Sequence, residues 1–169
     1  MSRIHRLRTS DRIFFVTANL SRGLGPLANH EYSLLLGALA ESRRKLRFLL
    51  HGYVLMPDHW HALIWTAYPL TISQAVKDIK WNSARALNRS RGLSGTVWQH
   101  QFWDRFVRHA REFDDRLTYM HLNPVRNGLV AKPEDWPWSS YNNFAPNATR
   151  VAESPIQIDY ISLSETYRG

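Results

Sequence analysis

Phe48-Leu49-Leu50-His51-Gly52-Tyr53-Val54-Leu55, then Met56-Pro57-Asp58, then His59-Trp60-His61-Ala62-Leu63-Ile64-Trp65 is the stretch on which the fold turns. Both outer runs are rich in β-branched and aromatic residues, and the Pro-Asp between them is turn chemistry. A link this short joins neighbouring antiparallel strands, so residues 48–65 read as a hairpin.

Outward from the hairpin, the hydrophobic period alternates between strand and helix. Arg12–Thr17 reads as an earlier strand, and the glycines and proline of Ser21–Pro26 read as a loop. Between them and the hairpin, Glu31 to about Arg47 spaces Leu35, Leu36, Leu39 and Leu46 as one face of an amphipathic helix. Beyond the hairpin, Thr71 to about Arg89 returns to helical spacing through Ile72, Val76, Ile79 and Ala86, and Gly92–Gly95 breaks it. Val97–Val107 is strand-like. Arg111–Leu122 reads as a last helix closed by Asn123-Pro124. The order β-α-β-β-α-β-α predicts an α+β fold of ferredoxin-like topology, an antiparallel sheet with helices packed on it. Residues 1–169 are expected to form one domain, with a short irregular extension from about 133 to 169.

Composition narrows the function classes. The chain has 169 residues, no cysteine, 44% hydrophobic and 21% charged residues, which is ordinary globular usage without disulfides or thiolate metal sites. It has no apolar run approaching the ~20 residues of a membrane span. The basic start at Met1–Arg8 lacks the apolar core of a secretory signal. A soluble cytoplasmic protein is the expectation, with no membrane partner. The excess of 22 Lys+Arg over 14 Asp+Glu gives a net charge of +8, which suits a polyanionic partner or serves solubility alone.

Two local patterns carry chemistry. In His59-Trp60-His61 the two imidazoles are two residues apart on a strand, so they share a face and can converge on one metal ion. The same spacing also suits two partly buried histidines bonded to backbone. Tyr119 and Asn123 are four apart on a helix, so a phenol and an amide oxygen share a face. An amide oxygen is a ligand for a hard cation. A tyrosine hydroxyl, with a pKa near ~10, needs such help to act as a nucleophile at neutral pH. A second basic feature is the stripe Lys77, Trp81, Arg85, Arg89 at successive i, i+4 positions. It reads equally as a phosphate track with one stacking aromatic or as a solvated helix face.

Together, Tyr53–His61 resembles the HUH motif (histidine, hydrophobic, histidine) of single-tyrosine transposases. Tyr119-Met120-His121-Leu122-Asn123-Pro124-Val125-Arg126-Asn127-Gly128-Leu129-Val130 is similar to the tyrosine segment of the REP-associated tyrosine transposases. Val97-Trp98-Gln99, Phe102-Trp103-Asp104-Arg105 and Trp136-Pro137-Trp138-Ser139-Ser140-Tyr141 also look like that branch, and the resemblance runs from about Ile13 to Tyr141.

The resemblance implies Tyr119 as nucleophile, with His59 and His61 holding one divalent cation, Mg²⁺ or Mn²⁺. Asn123 stands where the mobile branch has glutamine as third ligand. It further implies a metal-dependent endonuclease and strand transferase acting on single-stranded DNA at hairpins resembling repetitive extragenic palindromes, through a covalent 5′-phosphotyrosine. No small-molecule substrate is expected. Arg105, Arg108 and Arg126, near the tyrosine helix, join Lys77, Trp81, Arg85 and Arg89 as DNA-contact candidates. A monomer is expected over a dimer. The alternative is a catalytically inert hairpin-binding regulator with the same fold. An RNA-binding module lacks its glycine–aromatic string here, and a zinc hydrolase lacks a third strong ligand.

Overall fold

The computed structural model of the chain describes residues 12–144 and 156–161. Its elements run β1 (Arg12–Asn19), α1 (Asn29–Leu46), β2 (Leu49–Leu55), β3 (His59–Thr66), α2 (Ile72–Arg91), β4 (Trp103–Phe106) and α3 (Ala110–Arg126). Two short 3₁₀ turns follow, at Pro133–Asp135 and Tyr141–Asn143. The strands form one sheet in the order β2-β3-β1-β4 with every pair antiparallel. The α+β, ferredoxin-like topology expected from the sequence is therefore the fold observed. Among the described residues, no helix is long and apolar enough to cross a membrane.

Strand parity divides the molecule into two cores. Phe14, Val16 and Ala18 of β1, with Trp60, Ala62 and Ile64 of β3, turn toward α1 and α2, where they meet Leu35, Leu39, Val76 and Ile79. Ile13, Phe15 and Leu63 turn to the other face and pack with Phe113 and Met120 of α3. Because side chains alternate, His59 and His61 share this second face with Leu63. The sheet itself thus carries the histidine pair to the tyrosine helix.

Gly52 makes room for two side chains of α3. A register shift between Leu50 and Gly52 leaves His51 as a bulge and turns Gly52 toward α3. A Cβ there would lie 2.7 Å from Leu117 Cδ1 and would clash with the Met120 methyl as well. These residues flank Tyr119 on the helix. Gly52→Val is expected to force the Leu117 and Met120 side chains out of their packing and cost about 1–3 kcal/mol. Urea unfolding would register the loss, and an unchanged midpoint would contradict this account of the close approach.

Two boundaries differ from the sequence reading with structural consequences. The strand expected at Val97–Val107 shrinks to four residues, because Val97 and Trp98 turn inward and are buried instead. The Lys80 ammonium holds the carbonyls of Gln99 and His100 at 2.7 and 2.9 Å, keeping that segment against α2, while Trp98 pairs with Leu20 only as an isolated antiparallel bridge beyond β1. α3 does not stop at Asn123-Pro124 but continues to Arg126 with Pro124 inside it. The Pro124 ring removes one N–H from the ladder, yet Asn127 and Leu129 return backbone bonds to the carbonyls of Asn123 and Pro124 and close the final turn. The remaining differences are of one or two residues, among them β1 running on to Asn19, α1 beginning at Asn29 and α2 running on to Arg91.

The extension after α3 is irregular but engaged. Leu55 donates to the Trp138 carbonyl, Ser140 to that of Tyr53, and Asp159 to that of Leu50, so it covers the free edge of β2. Trp138 stacks on Tyr32 at 5.3 Å, which makes this tryptophan a packing residue.

Candidate active site

Four residues singled out in the sequence meet between β3 and α3. The rings of His59 and His61 lie 4.7 Å apart, and the Tyr119 ring lies 5.7 Å from that of His61. Asn123 Nδ2 donates to His61 Nε2 at 2.9 Å. The helix continuing through Pro124 places Arg126 on the same face, its guanidinium carbon 5.5 Å from the centre of the Tyr119 ring. Asn123 is buried, whereas Tyr119 remains 41% exposed, open to a substrate too large to be enclosed.

Each histidine is held by a partner that the sequence did not single out. His59 Nδ1 donates to the Asp58 carboxylate at 2.6 Å. His61 Nδ1 lies 2.7 Å from Thr17 Oγ1, which the β1–β3 register sets directly opposite. Because Asn123 donates to Nε2, the His61 proton sits on Nδ1 and points at Thr17. Burial, with His59 beside it, pushes the His61 pKa down to about 3, so the ring stays neutral and keeps a lone pair on Nε2. The Asn123 amide is held in turn: its Oδ1 accepts from Asn127 Nδ2 at 2.5 Å. Asp58 could have been found as the neighbour of His59, but Thr17 depends on a strand register that no local pattern reports.

Beside Tyr119 lies an open cavity of about 660 Å³ whose walls include Arg105, Arg108, Arg116 and Arg126. Arg105 is already paired with Glu112 at 2.8 Å, which offsets part of its charge. Arg116 was missed in the sequence, although it stands three residues before Tyr119 on the helix. Its guanidinium carbon lies 5.3 Å from the Phe15 ring and 5.7 Å from that of Trp103. Lys77, Trp81, Arg85 and Arg89 are exposed on α2, across the sheet from Tyr119. The first three line a separate cavity of about 840 Å³, which does not include Arg89.

His121 faces away from Tyr119 and serves the packing of α3. Its Nε2 lies 2.8 Å from Ser140 Oγ, which also accepts from the Tyr53 N–H at 2.9 Å. Burial lowers its pKa to about 4. A histidine depressed in the folded state contributes stability that is present above the unfolded pKa of 6.5 and is lost as pH falls toward 4. Between pH 7 and 5 this one group is expected to remove roughly 2 kcal/mol from the unfolding free energy. Urea titrations of wild type and His121→Gln at both pH values check this, the variant showing a smaller loss. Equal pH dependence in the two proteins would contradict it.

The chain was also compared with known proteins. The family model described as "Transposase IS200 like" matches residues 27–110, a span that holds the histidine pair and ends before Tyr119. The REP-associated tyrosine transposase of Escherichia coli K12 is 27% identical over 145 residues, covering 84% of each chain. Coverage that long includes both the histidines and Tyr119 wherever the match begins. A solved REP-associated tyrosine transposase bound to a REP hairpin superposes with a TM-score of 0.71 at 25% identity, over 96% of this chain and 92% of that one. In sequence and in fold, the chain is similar to the REP-associated tyrosine transposases along most of its length, and over residues 27–110 to the IS200-like transposase family.

Proposed function

We propose that the protein is a metal-dependent endonuclease and strand transferase for single-stranded DNA at hairpins, working through a covalent 5′-phosphotyrosine. The observation that carries this reading is the convergence of Tyr119, His59, His61 and Asn123 at one accessible point between β3 and α3. The hairpin bound in the related solved structure supports the choice of DNA.

The side chains fit a divalent cation. Both imidazoles are tied through Nδ1 by Asp58 and Thr17, the arrangement that fixes ring orientation and leaves Nε2 for a metal. Among the described residues no group of three or more His, Cys, Asp or Glu side chains is placed to hold a metal ion, so a third protein ligand would come from the Asn123 amide. Presenting Oδ1 instead of Nδ2 toward His61 requires a half-turn of that amide, with Asn127 turning alongside. Two nitrogens and one oxygen suit Mn²⁺, and Mg²⁺ less well. When bound, the cation supplies Lewis-acid polarisation of the scissile phosphate.

The chain's own groups account for the rest. Tyr119 Oη attacks phosphorus; the new P–O bond joins the tyrosine to the 5′-phosphate, the P–O3′ bond breaks, and the departing 3′-oxygen takes up the proton lost by the phenol. Attack by a 3′-OH on the phosphotyrosine reverses the step and joins strands. Arg126 over the Tyr119 ring, with Arg108 and Arg116 on the cavity wall, favours the phosphate charge that develops beside the attacking oxygen. Arg105 gives less, being paired with Glu112. Lys77, Arg85 and Arg89 contribute a basic surface that follows the DNA backbone. The protein acts as a monomer in this reading, all four site residues coming from one chain.

Labelled DNA hairpins with single-stranded flanks, incubated with Mn²⁺, Mg²⁺ or EDTA, test the function. Cleavage that needs both metal and single-stranded flank is expected. Hairpin binding without cleavage in either metal would favour the inert regulator.

A further inference from the structure

The cavity on α2 differs from an ordinary basic helix face because a loop closes over it. Residues 95–102 are tied down by three side chains of α2. Asn88 Nδ2 donates to the Gly95 carbonyl at 2.9 Å, and Lys80 holds the Gln99 and His100 carbonyls. Ser83 Oγ accepts from the Trp98 indole N–H at 2.9 Å. The result is a cleft of about 840 Å³, within the range of small-ligand sites at roughly 300–1,000 Å³. Its lining combines the aromatic side chains of Trp81, Trp98 and Phe102 with the cations of Lys77 and Arg85. Trp81 is 64% exposed although it is a large apolar residue, and it stands between the two cations on the helix.

The cleft is also joined to the histidine end of the sheet. Trp98 pairs with Leu20 just beyond β1, and the Leu20 N–H donates to the carbonyl of Asp58 at 2.8 Å. Asp58 is the residue that holds His59.

We propose that this cleft takes one unpaired base of the single-stranded DNA flanking the hairpin, stacked on Trp81, with its neighbouring phosphates on Lys77 and Arg85. The proposal rests on the DNA reading above and deepens it. A continuous duplex keeps its bases stacked on one another and offers only phosphates to α2, whereas an unpaired nucleotide can present a π-face to the indole. Pinning the loop in advance saves the ordering cost of building the pocket at the moment of binding. The cleft therefore makes affinity depend on whether the flank is single-stranded.

The test compares three DNA probes at one salt concentration: a hairpin with eight-nucleotide single-stranded flanks on both sides, the same hairpin trimmed blunt, and the flanked hairpin with both flanks paired to complementary strands. Dissociation constants are read by fluorescence anisotropy for wild type, Trp81→Ala and Trp81→Phe. Trp81→Ala is expected to weaken the flanked probe by roughly tenfold or more while leaving the blunt and paired probes within about twofold, and Trp81→Phe to keep most of the affinity. Thermal melting confirms that this exposed substitution leaves the fold intact. Equal loss on all three probes would make α2 a surface for the stem and overturn the base pocket, as would no loss on any, and the DNA reading would survive either result. A wild-type protein that binds none of the probes would overturn the DNA reading together with the pocket.

Discussion

Tyr119→Phe is expected to abolish DNA cleavage, with a loss of roughly 10⁴-fold or more, while hairpin affinity stays within about twofold. The substitution removes one oxygen and keeps the ring. The ring's contacts with Phe15 at 6.1 Å, with His61 at 5.7 Å and with the Arg126 guanidinium are those of the aromatic face, so they persist in phenylalanine. Because Tyr119 is partly exposed, the hydroxyl leaves no buried polar group stranded when it is removed. A structural tyrosine behaves otherwise: its loss would lower binding, stability and cleavage together. Cleavage and gel-shift assays on one preparation separate the two behaviours.

His59→Ala and His61→Ala are each expected to remove metal-dependent cleavage and to weaken Mn²⁺ binding by roughly 10²-fold or more. The reasoning starts from their partners. Loss of an outer partner of a metal-bound histidine costs roughly 10–100-fold, so loss of the ligand itself costs at least the upper end of that range. Thr17→Val and Asp58→Asn should accordingly fall between wild type and the histidine variants. The two histidines differ in folding cost. His61 is buried between Thr17, Phe15 and Asn123, so its truncation also leaves a void, whereas His59 at the strand end leaves little. Calorimetric Mn²⁺ titration beside urea unfolding distinguishes lost ligation from lost fold. Full activity of either variant in EDTA would remove the metal from the chemistry.

How much of this was legible in the sequence depends on the range of the interaction involved. The shared face of His59 and His61 follows from the two-residue period of one strand, and that of Tyr119 and Asn123 from four residues on one helix. Both are local, and both hold in the structure. The partners of those residues are long-range. Thr17 meets His61 across 44 residues of sequence, through a β1–β3 register that only folding chooses. The run Val97–Val107 has strand-forming side chains throughout, but tertiary bonds from Lys80 and the burial of Trp98 overrule propensity for its first half. Pro124 reads as a stop because it costs a helix about 3 kcal/mol, yet the buried packing of Asn123 and Pro124 carries the helix past it. That last turn matters for the site, since it brings Arg126 over Tyr119. The edge-covering role of the extension was invisible for a different reason: Trp138 and Ser140 reach β2 through backbone bonds, and these leave no side-chain period to read.

The central claim is a covalent bond from Tyr119 to DNA, and mass spectrometry of the trapped complex tests it most directly. The protein is incubated with a flanked hairpin and Mn²⁺, denatured, and digested with protease and nuclease; the residual nucleotide is then located on the peptides. The account predicts a 5′-phosphonucleotide on Tyr119, absent when EDTA replaces the metal and absent from Tyr119→Phe. Cleavage with no adduct, or an adduct on another residue, would contradict it.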